Sequence, residues 1–510
     1  MNNPCLELWE TPDACALKMT YNEMHKVAQS VAAWVTAACG DKTTKNQIIC
    51  VYLPRSLGMM SSVIGSFYCG CGVAVVDTKL PWSRLEFIVK DADAGVLITD
   101  SSLAGETGGF ACPILDIAAC LPETAKKTPK PWLSENNPGN KVTIKNDFRY
   151  DSKLEDDDSC VVIYTSGSTG NPKGVCLQYG AFSNYACIEQ VLTIPSAKDR
   201  IVQTQSLSFI AGFHECWRAL CGGAVLVMAN SKVTSLGPDL EQWLRDQEIT
   251  VMKAVPSLLR SMLIGDRKPQ LPKLRLLHIG GEAVTQDLVD LYGPGRMFLN
   301  TYGSTETCSN CVIGFCAPGD KHCTIGLSLP SFKALILEKP DANEETNKGE
   351  LYLWGMSLAK GYLNLDDKTK EVFIQHPKFG RIYKTGDIVE RLPDYGNCIV
   401  YRGRSDNQLK INGYRVELGE VEAKLNMIAV INEAAAVAVD NTIYAFATIA
   451  EGKELTVGDM KEQLKGFGLP FFAMPGRLMI VDKFPKTISG KLDRKVLKKQ
   501  IEDANKEAAA

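Results

Sequence analysis

The chain has 510 residues, 45% of them hydrophobic and 23% charged, with a formal net charge of −3. That length is too great for one core and suggests roughly three packed units. The near-neutral charge, without a basic tail, disfavours a nucleic-acid partner, and no uncharged apolar run approaches the ~18 residues needed to span a bilayer, so no membrane partner is expected.

Regular structure is predicted first as an amphipathic helix from about Tyr21 toward Ala37, with Thr20 or Asn22 as N-cap. Strands are predicted at Ile48 to Leu53, Gly72 to Asp77 and Gly95 to Thr99, separated by helices at Leu57 to Cys69 and around Arg84 to Phe87. This alternation predicts an α/β protein with doubly wound, parallel or mixed sheets. Leu121 to Asp158 is rich in Pro, Lys, Asn and Asp and reads as a surface excursion. The βα pattern resumes with strands at Arg200 to Thr204, Ala224 to Met228, Thr250 to Val255 and Leu274 to Ile279, and a helix beginning at Glu241. From about Lys348 shorter strands are expected. A boundary near Gly403 to Asp406 divides a large domain, 1–404, from a small α/β domain, 405–510.

The start of the chain lacks a signal-peptide profile. Its 18 cysteines are scattered through apolar runs, which favours reduced thiols and a cytoplasmic protein. Cys308 and Cys311 have C-x-x-C spacing, but no second pair stands at zinc-site distance.

Chemistry concentrates first in Tyr164-Thr165-Ser166-Gly167-Ser168-Thr169-Gly170-Asn171-Pro172-Lys173-Gly174-Val175, directly after the β-branched run Cys160 to Ile163. Glycines let backbone N–H groups turn inward, hydroxyls add donors, and Lys173 adds a positive charge, as a phosphate-wrapping loop requires. The spacing is not that of a Walker A loop. Further along come Asn300-Thr301-Tyr302-Gly303-Ser304-Thr305-Glu306-Thr307, then Tyr383-Lys384-Thr385-Gly386-Asp387. The segment from Gly403 to Glu422 and the run Pro485-Lys486-Thr487-Ile488-Ser489-Gly490-Lys491 complete the order.

Taken in order, these motifs resemble the signatures of adenylate-forming enzymes over essentially the whole chain. The segment Leu418-Gly419-Glu420-Val421-Glu422 is most similar to the peptide-synthetase branch, as in a freestanding adenylation domain. The resemblance implies an ATP- and Mg²⁺-dependent acid–thiol ligase in two steps: acyl-adenylate formation, then thioester formation. It implies that Thr165, Ser166, Gly167, Ser168, Thr169, Gly170 and Lys173 wrap the phosphates. Gly280, Gly281, Glu282, Asn300, Thr301, Gly303 and Thr305 would line the nucleotide site, with Tyr302 stacked on adenine. Asp387, assisted by Arg404, would hold the ribose, and Glu306 would bind Mg²⁺. Thr165, Glu306 and Lys491 form the implied catalytic set, and Asp406 the implied hinge.

By the same resemblance the acid pocket falls at Ile210, Ala211, His214, Lys253, His278, Gly280, Thr301, Ser309 and Asn310. Ile210 stands where that branch carries an Asp for the substrate α-ammonium, and an unpaired ammonium there would cost several kcal/mol. A polar acid without that amino group is therefore expected: a hydroxy, keto or dicarboxylic acid bound with help from Lys253 and the two histidines. A β-amino or acidic α-amino acid, bound atypically, comes next. The acceptor is expected in trans, as phosphopantetheine on a separate carrier protein, with CoA as the alternative. A catalytically silent nucleotide-binding protein and a luciferase-like monooxygenase are further alternatives.

Overall fold

The structure, a computed structural model, describes residues 3–11, 14–39, 45–100, 103, 110–121, 154–167, 171–234, 237–264, 267–405, 408–411, 413–439, 441–485 and 492–509. It comprises two compact units. The larger holds Met1–Thr78, Ile88–Tyr164 and Gly174–Ser405, and the smaller holds Lys79–Phe87, Thr165–Lys173 and Asp406–Ala510.

In the larger unit the β-branched runs form two large sheets. A seven-stranded sheet is ordered Gly361–Tyr362, Lys173–Gln178, Ser159–Thr165, Gly72–Val75, Ile48–Val51, Val96–Thr99, Ile114–Asp116. Its strands at 48–51, 72–75, 96–99 and 114–116 are parallel, and 48–51, 72–75 and 96–99 are buried throughout, which explains their continuous apolar sequence. The predicted helices Tyr21–Cys39 and Leu57–Tyr68 share its core, and the third predicted helix is Trp82–Asp91. The N-cap of the first is Thr20: its Oγ1 accepts from Glu23 N at 3.3 Å, and Glu23 accepts from Thr20 N at 2.8 Å. Ser56 caps the second by accepting from Met59 N at 3.1 Å.

The nine-stranded sheet runs Leu327–Ser328, Ser309–Phe315, Met297–Ser304, Leu276–Gly280, Val251–Ala254, Arg200–Gln203, Val225–Ala229, Pro4–Thr11, Ala14–Thr20. Its middle is parallel and both its ends are antiparallel. The terminal hairpin Pro4–Thr20 is not in the predicted elements. One face joins the core built with helices Tyr21–Cys39, Leu57–Tyr68, Tyr179–Thr193 and Ile210–Cys221, while the other packs on Asp239–Asp246, Pro256–Ser261 and Gln286–Tyr292. The sheets are doubly wound and mixed, as the βα alternation predicts.

Beyond Lys348 the expected short strands, such as Gly361–Tyr362 and Phe373–His376, stand beside long ones. Lys348–Gly355 has 8 residues and Gly380–Leu392 has 13, within an antiparallel five-stranded sheet. Polar residues and glycines there mark a sheet with a solvated face rather than short elements. The excursion predicted after Leu121 lies outside the described residues from 122 to 153.

In the smaller unit, a hairpin of Gln408–Ile411 and Tyr414–Glu417 precedes helix Leu418–Leu425. A three-stranded sheet of Ile431–Val439, Thr442–Ile449 and Arg477–Ile480 follows, with helices Val457–Gly466 and Arg494–Ala509. Arg84 and Glu420 form a buried ion pair inside this unit at 2.5 Å.

Candidate active site

Three parallel strands, an antiparallel fourth and one helix of the larger unit bring together the residues expected to form the acid pocket. Lys253 stands in register with His278, and Gly280 with Thr301, so these side chains share one face at the C-terminal ends of their strands. That face is the one covered by helix Ile210–Cys221. The helix carries Ile210, Ala211 and His214 on its first turns, all buried but the half-buried Ala211. Gly280 is required by close approach, since a Cβ would lie 2.5 Å from the Thr301 carbonyl oxygen. Thr301 turns its hydroxyl to the Ile279 carbonyl at 2.9 Å.

The far wall is a tight turn. Cys308 and Ser309 both have positive φ, +54° and +97°, which non-glycine residues adopt at a cost of about 1–3 kcal/mol each. Surrounding bonds hold them there. Thr307 donates to the Ser309 carbonyl at 2.8 Å, and the Cys308 carbonyl is 2.9 Å from His214 Nε2. A Cβ on Gly303 would lie 1.7 Å from the Ser309 carbonyl oxygen, so only glycine fits beneath the turn.

Beneath the pocket lies a charged network absent from the predicted site. Glu189, on helix Tyr179–Thr193, forms a buried ion pair with Arg218, which donates through Nε at 2.9 Å and also through Nη2. Arg218 Nη2 further donates to His278 Nδ1 at 2.8 Å. Tyr185 donates to Glu189 at 2.5 Å, and the Asn310 amide contacts both the Tyr185 hydroxyl at 2.8 Å and His278 Nε2 at 3.1 Å. Glu215 accepts from Thr204 N, the Thr204 hydroxyl and Gln205 N, the last two at 2.8 and 2.9 Å.

Burial and these partners fix the charge states. Burial pushes both His214 and His278 well below the usual imidazole range, so both are neutral. Both are hydrogen-bonded within the protein, His214 to the Cys308 carbonyl and His278 to Arg218 and Asn310. Burial would raise the Glu189 carboxyl, but the charges of Arg218 and Lys253 and the Tyr185 hydrogen bond outweigh it and hold it below the usual range. Burial raises Glu215 to about 7 and lowers Lys253 to about 8.

A second group of predicted residues meets in the same unit. The Tyr302 hydroxyl donates to the Asp387 carboxylate, which also accepts from Arg404 Nη1 at 2.8 Å. Asp387 and Arg404 face each other across paired strands. Glu306 is buried on the turn Thr305–Thr307 and accepts from the Tyr362 hydroxyl at 2.7 Å. A buried carboxylate is the hard oxygen donor that suits Mg²⁺.

Two predicted nucleotide-site residues, Asn300 and Glu282, bond within the protein, and a third, Gly281, sits on a turn. Asn300 donates to the Thr324 carbonyl at 2.8 Å. Glu282 caps helix Pro256–Ser261, accepting from Ser257 N and the Ser257 hydroxyl, both at 2.9 Å. Gly281 takes φ +85°, a turn that favours glycine.

In the smaller unit, the described part of the phosphate-type loop is tightly folded. A Cβ on Gly167 would lie 2.1 Å from the Asn171 carbonyl oxygen, and Thr165 Oγ1 is 3.5 Å from the Lys173 carbonyl. The Ser166 hydroxyl donates to the Arg415 carbonyl at 2.9 Å. Ser168, Thr169, Gly170, Asp406 and Lys491 lie outside the described residues. All 18 cysteines are unbridged thiols, with Cys308 and Cys311 buried beside the pocket. Among the described residues no helix is long and apolar enough to cross a membrane.

Residues 10–363 match the family model of the AMP-binding enzyme, and residues 420–491 match that of the AMP-binding enzyme C-terminal domain. The chain belongs to the AMP-binding enzyme family. It is 33% identical to a linear gramicidin synthase of Brevibacillus parabrevis over 96% of its own length, but spans only 6% of that protein. Novobiocin biosynthesis protein H of Streptomyces niveus is 31% identical, with 96% of this chain and 81% of that protein covered. Among solved structures, the fold matches adenylation domain AlmE of Vibrio cholerae, in complex with glycyl-adenosine-5'-phosphate, at TM-score 0.81 and 22% identity, over 98% of this chain and 95% of that one. It also matches o-succinylbenzoate CoA synthetase of Bacillus subtilis at TM-score 0.79 and 21% identity, over 98% and 96% of the two chains.

Proposed function

We propose that this family member activates a small polar carboxylic acid with ATP and passes the acyl group to the phosphopantetheine thiol of a carrier protein. The meeting of Tyr302, Asp387 and Arg404 in the same unit as the pocket around Lys253 carries this reading. Asp387 presents a charged acceptor for a ribose diol, and Tyr302 a ring face for adenine. The phosphates are assigned to the loop Thr165–Lys173. Glu306 would hold Mg²⁺, which when bound supplies positive charge beside the phosphate oxygens.

In the first step a substrate carboxylate oxygen attacks the α-phosphorus and the bond to the pyrophosphate oxygen breaks. In the second, a thiolate attacks the acyl carbon and AMP departs with its oxygen. The protein contributes alignment and fixed dipoles rather than a covalent intermediate of its own. Lys491 is assigned to the first step, at the carboxylate and the departing charge, with Asp406 as the hinge between domains 1–404 and 405–510. Ile210, apolar and buried, supplies no counter-charge for an α-ammonium, which favours an acid without one.

The test is ATP–pyrophosphate exchange with the full chain against amino, hydroxy, keto and dicarboxylic acids, followed by thioester transfer to carrier protein or CoA. Lys491→Ala is expected to abolish exchange while sparing transfer from preformed adenylate. Absence of exchange with every acid, alongside intact ATP binding, would favour a silent nucleotide-binding protein. Equal loss of both half-reactions in the variant would refute the assignment of Lys491.

A further inference from the structure

We propose that Lys253 is the receptor for a second carboxylate on the substrate, so that the acid activated here is a short dicarboxylic acid. This deepens the reading of the same pocket as an acid-adenylation site and rests on it.

Lys253 is 6% exposed on a central strand of the nine-stranded sheet. An ammonium carries three donors. Among the described residues its Nζ has one hydrogen-bond contact, the Ser309 hydroxyl at 3.5 Å, and no carboxylate oxygen within 4.0 Å. A buried ammonium left in that state costs several kcal/mol, which an anionic partner would recover.

The protein's own buried anions, Glu189 and Glu215, act on Lys253 through space but make their hydrogen bonds elsewhere. Glu189 is engaged by Arg218 and Tyr185. Glu215 spends both oxygens on Thr204 and Gln205. His214 and His278 are neutral and tied to the Cys308 carbonyl, Arg218 and Asn310, so they offer no competing charge. The Arg218 guanidinium is buried with its charge matched by Glu189. Lys253 is thus the one pocket cation, among the described residues, without an ion-pair partner. Its neighbours on the same face, Gly280 and Thr301, lie at the strand ends, with Ser309 on the turn opposite. An acid whose reacting carboxylate goes to the nucleotide and whose second carboxylate reaches Lys253 would complete the set with a charge-assisted hydrogen bond.

The experiment compares short dicarboxylic acids with their monoamides, which keep shape and lose one charge. Exchange is measured with wild type and with Lys253→Met, a substitution of similar volume that also removes a buried charge. The expected result is a preference for the diacid on the order of 100-fold or more in kcat/KM. Lys253→Met is expected to erase that preference, with ATP binding, measured by titration, retained as the sign of a folded variant. Equal use of diacid and monoamide by wild type overturns the subsite and leaves the adenylation reading standing, a result that needs no variant. If no acid supports exchange, calorimetric titration of diacid into wild type and Lys253→Met decides the subsite independently. Lys253-dependent binding supports the subsite while the adenylation reading falls, and binding that is absent or independent of Lys253 overturns the subsite.

Discussion

Arg218→Met tests the buried network beneath the pocket. The side chain of Arg218 is 0% exposed and that of Glu189 2%, so the substitution strands an acid in the interior. Removing one partner of such a pair costs about 3–5 kcal/mol, against roughly 0–1 for a surface pair. The same change frees His278 Nδ1, which now accepts from Arg218 Nη2. The penalty has a definite pH sign. Without Arg218, burial raises the Glu189 carboxyl above its unfolded value, so the penalty is full at pH above the raised value. It shrinks as pH falls through that value and is gone below the unfolded one. Urea unfolding followed by tryptophan fluorescence, with Trp217 next in sequence to Arg218, should show a lower midpoint at pH 8 and a smaller loss at pH 5. Amide exchange in helix Tyr179–Thr193 should accelerate in parallel. Adding Glu189→Leu should recover much of the loss, because an apolar pair of similar volume is often as stable as a buried ion pair. A loss below about 1 kcal/mol, or a double variant no more stable than the single, would refute this account.

Three other outcomes follow from the same geometry. Lys253 is protonated below about 8, so the apparent affinity for a diacid should fall as pH rises through that value. The profile for its monoamide should stay flat, and parallel profiles would exclude Lys253 as the receptor. Tyr302→Phe removes the hydroxyl that donates to Asp387 and is expected to raise the KM for ATP roughly 5- to 30-fold, on the scale of a charge-assisted hydrogen bond. An unchanged KM would separate that bond from nucleotide binding. Gly303→Ala puts a Cβ against backbone at 1.7 Å and should cost more than about 2 kcal/mol with loss of activity. A folded, active variant would show that the turn can move.

Much of the fold was legible because continuous β-branched runs such as Cys160 to Ile163 have few alternatives to a buried strand. The terminal hairpin Pro4–Thr20 was less legible. Its Leu6 and Leu8 gain meaning only by pairing with Leu226 and Met228, over 200 residues away. The pocket shows the same division. Lys253 and His278 stand out as polar residues inside apolar strands, yet their charge states depend on neighbours from other elements. Glu189 and Arg218 went unrecognised because a charge on a helix usually faces water. A local signal did exist: Ile210, His214 and Arg218 repeat every four residues, as do Tyr185 and Glu189. Polar groups on the stripe that should be apolar mark a buried network.

The turn at Cys308 and Ser309 has a consequence for how this pocket can change. Its shape is set by main-chain torsions held under load by Gly303 below and His214 opposite. Under the proposed function, exchanging the Ser309 side chain would alter which acid is accepted without moving the frame, whereas Asn310 is tied to Tyr185 and His278. Gly303 has no such freedom. Selectivity and architecture occupy adjacent positions on one short stretch, one open to variation and the other fixed by the distance between two backbones.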